Sequence, residues 1–322
     1  MLREDRILIT GANGFVGTWL QREFKRRQIQ DGRNLTVIAV GHGSGADRAT
    51  DITDRGQVAD LIEECRPTAV IHLAAVAAPA EARRLPRRAW DVNFQGTMNL
   101  AYATIEHSPD ARFIFVGSSE AYGASFIDAA GEAVREDRPL KPMTVYGATK
   151  AAADIAVAQL AYEGLKAICF RPFNHTGPGQ TDAYVAAAFA RQLAEIGAGT
   201  RPPRMEVGNL SALRDFLDVR DIVRAYTDAA LMEVPPDALG KAFNLSSARP
   251  IQIQSILDML IDLSGLKVDV EIDPKRLRGP EVAVASGDNQ AAFKTFGWKP
   301  EIPLGSTLSD VLEDWKARKK PQ

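Results

Sequence analysis

Cysteine and histidine are scarce in this chain of 322 residues, which contains two cysteines and four histidines. Cys65 and Cys169 lie in apolar or helical contexts typical of buried, reduced thiols, so no disulfide framework is expected. The histidines are not spaced as a ligand cluster, and no metal site is predicted. The longest nearly apolar stretch, 69–80, is too short to span a membrane, and the first residues do not resemble a signal peptide. We therefore expect a cytoplasmic protein.

An excess of charge of either sign is also missing. Lys and Arg total 39 against 41 Asp and Glu, a net charge of −2, which argues against a protein built to bind nucleic acid or an anionic membrane. Hydrophobic residues make up 45% and charged residues 25%, as in ordinary globular proteins. The length indicates one large domain or two of usual size.

Short apolar segments alternate with helical ones through the first half of the chain. The apolar segments are the predicted strands, at 6–10, 35–40, 69–73, 112–116 and 165–170. Continuous apolar strands between helices indicate a parallel sheet that is buried on both faces, as in doubly wound α/β proteins. The pattern changes after Pro172. We predict a Rossmann domain at 1–173, with a returning segment near 215–247, and a smaller, discontinuous α/β substrate domain at 174–322.

A glycine-rich loop joins the first predicted strand to the first helix. Its spacing is G-x-x-G-x-x-G rather than the usual G-x-G-x-x-G. Glycine lets the backbone approach a pyrophosphate, and the following helix offers unpaired N–H groups. The residues expected to contact a dinucleotide here are Gly11, Asn13, Gly14, Phe15, Val16 and Gly17.

The end of the second predicted strand lacks the carboxylate that reads an NAD ribose. His42 and Arg48 lie nearby and are candidates to face a 2′-phosphate, which favours NADP. Asp47 is close enough to keep NAD as an alternative. Further on, Asp51 is placed to accept from an adenine amino group, next to Ile52.

A tyrosine and a lysine are spaced four residues apart at the start of a predicted helix. Tyr146 and Lys150 therefore lie on one helical face. An ammonium beside a phenol is expected to lower the phenol pKa from about 10 toward the working range of an acid–base group. Ser118 follows the strand at 112–116, at the sheet edge where doubly wound proteins bind ligands.

Together these motifs resemble the extended short-chain dehydrogenase/reductases that act on nucleotide sugars. The resemblance spans nearly the whole chain and includes Asp51-Ile52, His72-Leu73-Ala74-Ala75 and Arg171-Pro172-Phe173-Asn174. It implies that Ser118 is the catalytic hydroxyl, Tyr146 the proton donor and Lys150 its partner. It also implies cofactor contacts by Leu73, Ala74, Ala75, Asn93, Tyr146, Lys150 and Pro172.

Segments of the second half are similar to the GDP-sugar branch of that family. These segments are 171–180, 207–221 and 273–281. Arg214 and Arg278 match residues that hold the sugar-nucleotide phosphates, and two arginines suit a pyrophosphate because each guanidinium can bond bidentately. For Arg214, the alternative is an ion pair with Asp215 or Asp218. The implied substrate contacts are Ser118, Glu120, Asn174, Val207, Arg214, Arg278 and Glu281.

The resemblance implies NADPH-dependent reduction of a 4-keto group on a GDP-linked 6-deoxyhexose. Glu120 keeps 4,6-dehydration open, because related dehydratases place their catalytic base there; 4-epimerisation is a further alternative. A non-catalytic NADP-binding sensor is a remote alternative, since such proteins usually lack one of the residues that correspond to Ser118, Tyr146 and Lys150. The family also implies a homodimer through helices 94–106 and 146–163. The arginine-rich segment 81–88 is expected to be a solvated loop.

Overall fold

Strands and helices alternate along most of the chain. The computed structural model describes residues 4–41, 45–276 and 282–319. Its strands are β1 (Asp5–Thr10), β2 (Leu35–Gly41), β3 (Arg48–Ala49), β4 (Ala69–His72), β5 (Arg112–Val116), β6 (Lys166–Pro172), β7 (Asn174–Thr176), β8 (Arg204–Val207), β9 (Leu213–Arg214), β10 (Phe216–Asp218), β11 (Ala242–Leu245), β12 (Ile251–Gln252), β13 (Asp269–Ile272) and β14 (Val284–Ala285). Its α-helices are α1 (Phe15–Asp31), α2 (Arg55–Cys65), α3 (Pro79–Arg84), α4 (Pro86–Trp90), α5 (Gly96–His107), α6 (Ser125–Asp128), α7 (Val145–Leu160), α8 (Val185–Gly197), α9 (Val219–Leu231), α10 (Ile253–Ser264), α11 (Gln290–Phe296) and α12 (Leu304–Lys319). None of the described helices is long and apolar enough to cross a membrane.

The central element is a seven-stranded sheet in the order β3-β2-β1-β4-β5-β6-β11. Every neighbouring pair in it is parallel. The chain moves from β1 outward to β2 and β3, then returns to β4 on the other side of β1. This reversal makes β1 and β4 the switch point where ligands bind in such sheets. The doubly wound α/β fold predicted from the sequence is confirmed.

Helices cover both faces of this sheet, as the apolar strands require. Ile7 and Ile9 of β1 point into the core beneath α1, α9 and α11, whereas Leu8 points into the core beneath α2, α5 and α7. Successive side chains of a strand alternate between faces, so both faces need apolar residues.

A third hydrophobic core lies apart from the sheet. It is formed mainly by α8, α10 and α12 and includes Leu193, Leu257 and Trp315. The chain leaves this region twice to join the main sheet. First, within the segment expected to return, α9 packs on the main sheet and β11 pairs with β6 at its edge. Later, α11 adds Phe296 to the core beneath α1 and α9. The second return was not foreseen, and the domain boundary near 173 stays a prediction.

The two helices expected to form a dimer interface differ in detail from their predicted bounds. The first begins with a π-helical turn, Asp91–Gln95, before α5 starts at Gly96. The second, α7, ends at Leu160 and is followed by a 3-10 turn, Ala161–Glu163. Turns of π-helix are rare in proteins, and those that occur are often found at functional sites.

Candidate active site

A cleft of about 1750 Å³ lies between the main sheet and the third core. Its floor is the carboxyl edge of the sheet, where Thr10, Leu73, Val116 and Pro172 line it at the ends of four adjacent strands. Its opposite wall comes from α8 and from the segment around β8 and β9. The cleft is therefore at the position that the strand order predicts for a ligand.

The glycine loop forms one end of the cleft, and its glycines are required by the packing. Gly11 has φ +70°, and a Cβ there would lie 2.7 Å from the Ala74 nitrogen. A Cβ on Gly17 would lie 2.5 Å from the carbonyl oxygens of Gly11 and Ala12. No side chain caps the start of α1 at Gly14, and its first turn carries no acidic residue. The backbone N–H groups there suit a phosphate, so this loop fits a dinucleotide.

The cleft is lined by all six loop residues predicted to contact a dinucleotide: Gly11, Asn13, Gly14, Phe15, Val16 and Gly17. The Asn13 side chain reaches toward the end of β2, since a Cβ on Gly41 would lie 3.6 Å from Asn13 Nδ2. An amide is thus present where many dinucleotide sites have a carboxylate.

Asp47 and Arg48, which lie between β2 and Asp51, do not line the cleft. Asp47 accepts a hydrogen bond from the Ala39 nitrogen at 2.8 Å, so its carboxylate is tied back to β2. Arg48 is exposed and pairs with Glu64 of α2 at 3.3 Å, outside the cleft lining, and its contact with a 2′-phosphate stays a prediction. His42 lies outside the described residues.

The residues predicted to lie near an adenine are found on one wall of the cleft. Asp51 and Ile52 both line it, and Asp51 accepts from the nitrogen and hydroxyl of Thr53 at 2.9 and 2.8 Å. Ile52 packs closely on the start of α5, because a Cβ on Gly96 would lie 2.7 Å from Ile52 Cδ1. Leu73, Ala74 and Ala75 continue the same wall.

Asn93 is buried behind that wall and is not among the lining residues. Its side-chain oxygen accepts from the Val76 nitrogen at 2.7 Å, and its amide nitrogen donates to the Val76 oxygen at 3.3 Å and to the Thr149 hydroxyl at 3.0 Å. Both amide groups are therefore used inside the protein. This corrects the expected cofactor contact: Asn93 fixes the cleft-lining Val76 against helix α7.

Ser118, Tyr146 and Lys150 meet on the floor of the cleft. Ser118 follows β5, and its side chain accepts from the Glu120 nitrogen at 3.1 Å. Thr144 caps α7 by accepting from the Gly147 nitrogen at 2.9 Å, which starts the helix directly before Tyr146. The Lys150 ammonium donates to the Val116 carbonyl at 2.7 Å.

The electrostatics of this trio differ from the expectation. Burial and the Glu120 carboxylate raise the pKa of Tyr146, and a side-chain hydrogen bond with Ser118 opposes them only in part. The Lys150 ammonium faces a backbone carbonyl instead of the phenol, so it does not lower the phenol pKa as predicted. Burial lowers the pKa of Lys150 to about 8, although Asp154 attracts its charge. Tyr146 is thus kept protonated.

Glu120 stands beside this trio and lines the cleft. The Thr144 hydroxyl donates to Glu120 Oε2 at 2.9 Å. One threonine therefore fixes both the start of the helix that carries Tyr146 and the carboxylate next to it. This pairing places an acceptor of hydrogen bonds close to the phenol.

On the side of β7, β8 and β9, Asn174, Val207 and Arg214 line the cleft. The Arg214 guanidinium donates to the Leu213 carbonyl at 2.8 Å. The carboxylates offered as its alternative partners have other bonds. Asp215 accepts from the Ser247 and Ala248 nitrogens at 2.7 and 3.0 Å, and Asp218 pairs with Arg220 at 2.7 Å. Arg278 and Glu281 lie outside the described residues.

Several residues that line the cleft were not singled out from the sequence. Arg83 and Arg88 come from the segment expected to be a solvated loop, and they are exposed at the rim of the cleft. Tyr184 lies at the start of α8, opposite the trio. Their positions depend on how distant segments pack, and no local motif marked them. Within the described residues, no group of three or more His, Cys, Asp or Glu is arranged to hold a metal.

Comparison with known families identifies the fold around this cleft. The family model described as "NAD dependent epimerase/dehydratase family" matches residues 7–245, which include the glycine loop, the Ser118 loop and the Tyr146–Lys150 pair. The chain belongs to this family. The epimerase/dehydratase match also includes α9 and β11, the elements that return to the main sheet.

Individual relatives within the epimerase/dehydratase family act on nucleotide sugars according to their names. GDP-6-deoxy-D-mannose reductase of Pseudomonas aeruginosa is 32% identical over 98% of both chains. GDP-mannose 4,6 dehydratase 2 of Arabidopsis thaliana is 29% identical over 82% of this chain and 70% of its own length. Among solved structures, RMD from Pseudomonas aeruginosa complexed with NADPH is 31% identical, covers 98% of this chain and 99% of its own, and has a TM-score of 0.86.

Proposed function

We propose that the protein is a reductase that converts the C4 keto group of GDP-4-keto-6-deoxy-D-mannose to a hydroxyl, forming GDP-D-rhamnose. The observation that carries this proposal is the meeting of Ser118, Tyr146 and Lys150 in the cleft that also contains the uncapped start of α1. A reductase relative that matches 98% of the chain supports it.

The cofactor is NADPH in this proposal, with NAD as the alternative. The start of α1 would hold its pyrophosphate, Asp51 and Ile52 its adenine, and Lys150 its nicotinamide ribose. Between the end of β2 and Asp51, no carboxylate among the described residues lines the cleft, because Asp47 bonds to Ala39. The solved relative complexed with NADPH points the same way.

Reduction of a carbonyl needs a hydride at carbon and a proton at oxygen, and the bound cofactor supplies only the hydride. Tyr146 supplies the proton to the C4 oxygen, and its raised pKa keeps the phenol protonated in the free enzyme at neutral pH. Ser118 donates to the same oxygen and stabilises the negative charge that develops there. When Tyr146 gives up its proton it becomes a negatively charged phenolate, and the positive charge of the Lys150 ammonium stabilises it.

The nucleotide would lie along the substrate-domain wall. Arg214 would bond the diphosphate, with Asn174 and Val207 beside it, since charge-assisted bonds to phosphate are strong and directional. The sequence-based candidates Arg278 and Glu281 remain assigned to the phosphates and a ribose hydroxyl.

A second candidate function is 4,6-dehydration of GDP-mannose. Glu120 favours it, because a carboxylate beside Tyr146 and Ser118 is suited to remove the C5 proton from a 4-keto intermediate. A dehydratase relative that matches 82% of the chain supports it as well. We place it second because the reductase relative matches more of the chain at higher identity.

The protein is proposed to act in the cytoplasm as a homodimer through α5 and α7, which pack side by side. Tyr102 on α5 and Ile155 on α7 are 52% and 61% exposed, which leaves large apolar side chains on this face. Ile155→Arg should therefore halve the mass measured by light scattering, whereas Lys316→Ala on α12 should leave it unchanged. A wild-type monomer at micromolar concentration would contradict the proposal.

The reductase proposal is tested by incubating the protein with GDP-4-keto-6-deoxymannose and NADPH. We expect one NADPH to be consumed per GDP-D-rhamnose formed, identified by chromatography and NMR. Tyr146→Phe should lower kcat by about 10²- to 10⁴-fold, the usual contribution of general acid–base catalysis, with little change in substrate affinity. Absence of NADPH consumption by the wild type, or full activity of Tyr146→Phe, would contradict the assignment.

A further inference from the structure

Tyr184 is a large polar aromatic residue on the wall of the cleft opposite the catalytic trio. It immediately precedes α8, where its carbonyl accepts from the Ala188 nitrogen at 2.8 Å. The other face of α8 is fixed in the third core by buried residues such as Leu193. The Tyr184 backbone is therefore firmly held, while its side chain faces the cleft and is 37% exposed.

The hydroxyl of this side chain has capacity to bond a ligand. Within the described ranges, no hydrogen bond is made by the Tyr184 hydroxyl. A tyrosine with an anchored backbone and a free phenol is a common recognition element, since its ring packs on apolar atoms while its hydroxyl bonds polar ones.

Tyr184 shares the cleft with the reacting groups. Glu120 and Tyr146 line it from the side of the main sheet, and Tyr184 lines it from the start of α8. Burial raises the pKa of Tyr184 and of Tyr146, and the Glu120 carboxylate raises both further. Two protonated phenols and one carboxylate, contributed by α7, by the start of α8 and by the Ser118 loop, thus surround the same part of the cleft.

This arrangement matches the hydrogen-bonding needs of a sugar hydroxyl. Such a hydroxyl can donate one hydrogen bond and accept others. Glu120 offers an acceptor, held by Thr144 at 2.9 Å, and Tyr184 offers a donor from the facing wall. Tyr146 is reserved for the carbonyl oxygen in the proposed reaction, so the second phenol is available for a different oxygen of the hexose.

We propose that Tyr184 is a specificity-determining residue that donates a hydrogen bond to a hexose hydroxyl, which in turn donates to Glu120. The ring of Tyr184 then forms the substrate-side wall against which the sugar is pressed toward Tyr146. This inference rests on the proposed function, because it assumes that a nucleotide-linked hexose occupies the cleft. It adds a sugar contact on the wall opposite the Ser118 loop.

The test compares binding of a nucleotide sugar with binding of the matching nucleotide by calorimetry. GDP-mannose with GDP, and UDP-glucose with UDP, are run in parallel, and the pair that the wild type binds is used. Tyr184→Phe should raise the Kd of the nucleotide sugar about 3- to 10-fold, as expected for the loss of one neutral hydrogen bond, and leave the Kd of the plain nucleotide unchanged. Tyr162→Phe, which removes a hydroxyl from a residue 94% exposed in the 3-10 turn after α7, is the matched control and should change neither affinity.

A double-mutant cycle adds a readout that a merely structural role would not change. If one sugar hydroxyl links Tyr184 to Glu120, Tyr184→Phe and Glu120→Gln should be non-additive for the nucleotide sugar and additive for the nucleotide. Unchanged sugar affinity in Tyr184→Phe, or equal weakening of nucleotide and nucleotide sugar, would overturn the proposal. If the wild type fails to reduce the keto sugar, the reductase assignment fails, while the binding comparison still decides the role of Tyr184.

Discussion

Arg171 and Asp154 form a buried, bidentate ion pair beneath the loop that carries Ser118. Arg171 Nε donates to Asp154 Oδ2 at 3.0 Å, and Nη2 donates to Oδ1 at 2.7 Å. The loop packs closely on this pair, since a Cβ on Gly117 would lie 3.3 Å from Asp154 Oδ2. Asp154 is one helical turn beyond Lys150, so the pair joins strand β6 to the helix that bears the catalytic residues.

Removing one member of this pair should destabilise the protein strongly. Asp154→Ala leaves a guanidinium buried without its carboxylate, and broken buried pairs typically cost about 3–5 kcal/mol. The free energy of unfolding from urea titration measures this loss. Lys316→Ala, which removes the more exposed ion pair with Glu313, should cost less than about 1 kcal/mol. Similar losses for both variants would show that the buried pair has no special structural role.

Local spacing was sufficient to predict the part of the site that lies on the sheet. The glycine loop directly follows a strand, and a spacing of four places Tyr146 and Lys150 on one helical face. Both relationships are fixed by backbone geometry, so the sequence reveals them. Tyr184 was missed because its position opposite Tyr146 depends on how α8 packs in a separate core.

A position in the sequence does not give a side-chain direction. Arg48 follows β2 closely enough to be a candidate for a 2′-phosphate, and in this structure its side chain pairs with Glu64 on the surface. Asn93 was expected at the cofactor, but a π-helical turn encloses it and its amide bonds Val76. The pKa of Tyr146 depends on Glu120 as well as on burial, which the spacing to Lys150 could not show.

Cofactor affinity should depend on pH through Lys150. Burial lowers the pKa of this lysine to about 8 in the free protein, so its ammonium is lost as pH rises through that value. If the ammonium bonds the nicotinamide ribose, the Kd for NADPH should rise above pH 8, approaching tenfold per pH unit. Fluorescence titration from pH 6.5 to 9.5 measures it. Lys150→Met should bind weakly with a flat profile; a flat wild-type profile would exclude the ammonium from binding.

The same shift has a consequence for stability. Between pH 8 and the ordinary lysine pKa of 10.5, the unfolded chain binds a proton at Lys150 that the folded protein does not. The contribution of this group to the free energy of unfolding therefore rises with pH in that window. Below pH 8 the buried ammonium costs the fold its full desolvation penalty.

Arg214 should contribute to nucleotide binding without affecting the cofactor. Arg214→Ala removes a guanidinium that lines the substrate side of the cleft, and loss of a charge-assisted bond costs about 1.5–3 kcal/mol. Calorimetry with GDP should show roughly 10- to 150-fold weaker binding, with the Kd for NADPH unchanged. Arg33→Ala, an exposed site paired with Asp5, is the control. Unchanged GDP affinity would make Arg214 a purely structural residue.

Glu120 distinguishes the two candidate reactions. Reduction needs no proton to pass through this carboxylate, whereas dehydration needs a base that removes the C5 proton. Glu120→Gln keeps the shape of the side chain and an oxygen that can accept from Thr144. In the reductase, this variant should therefore slow consumption of the keto sugar by less than about tenfold, because only a hydrogen-bonding contact is weakened.

The pH profile gives an independent measurement. Burial lowers the pKa of Lys150 to about 8 and raises the pKa of Tyr146, so Lys150 sets the alkaline limb of kcat/KM, and Glu120→Gln should leave that limb in place in the reductase. Glu132→Gln, an exposed site outside the cleft, is the control and should leave it unchanged as well. With GDP-mannose as the only sugar nucleotide, the wild type should form no product. Catalytic formation of a 4-keto-6-deoxy sugar from GDP-mannose without net NADPH use, abolished in Glu120→Gln, would overturn the reductase assignment in favour of the dehydratase, because only a proton-abstracting carboxylate explains that pair of results.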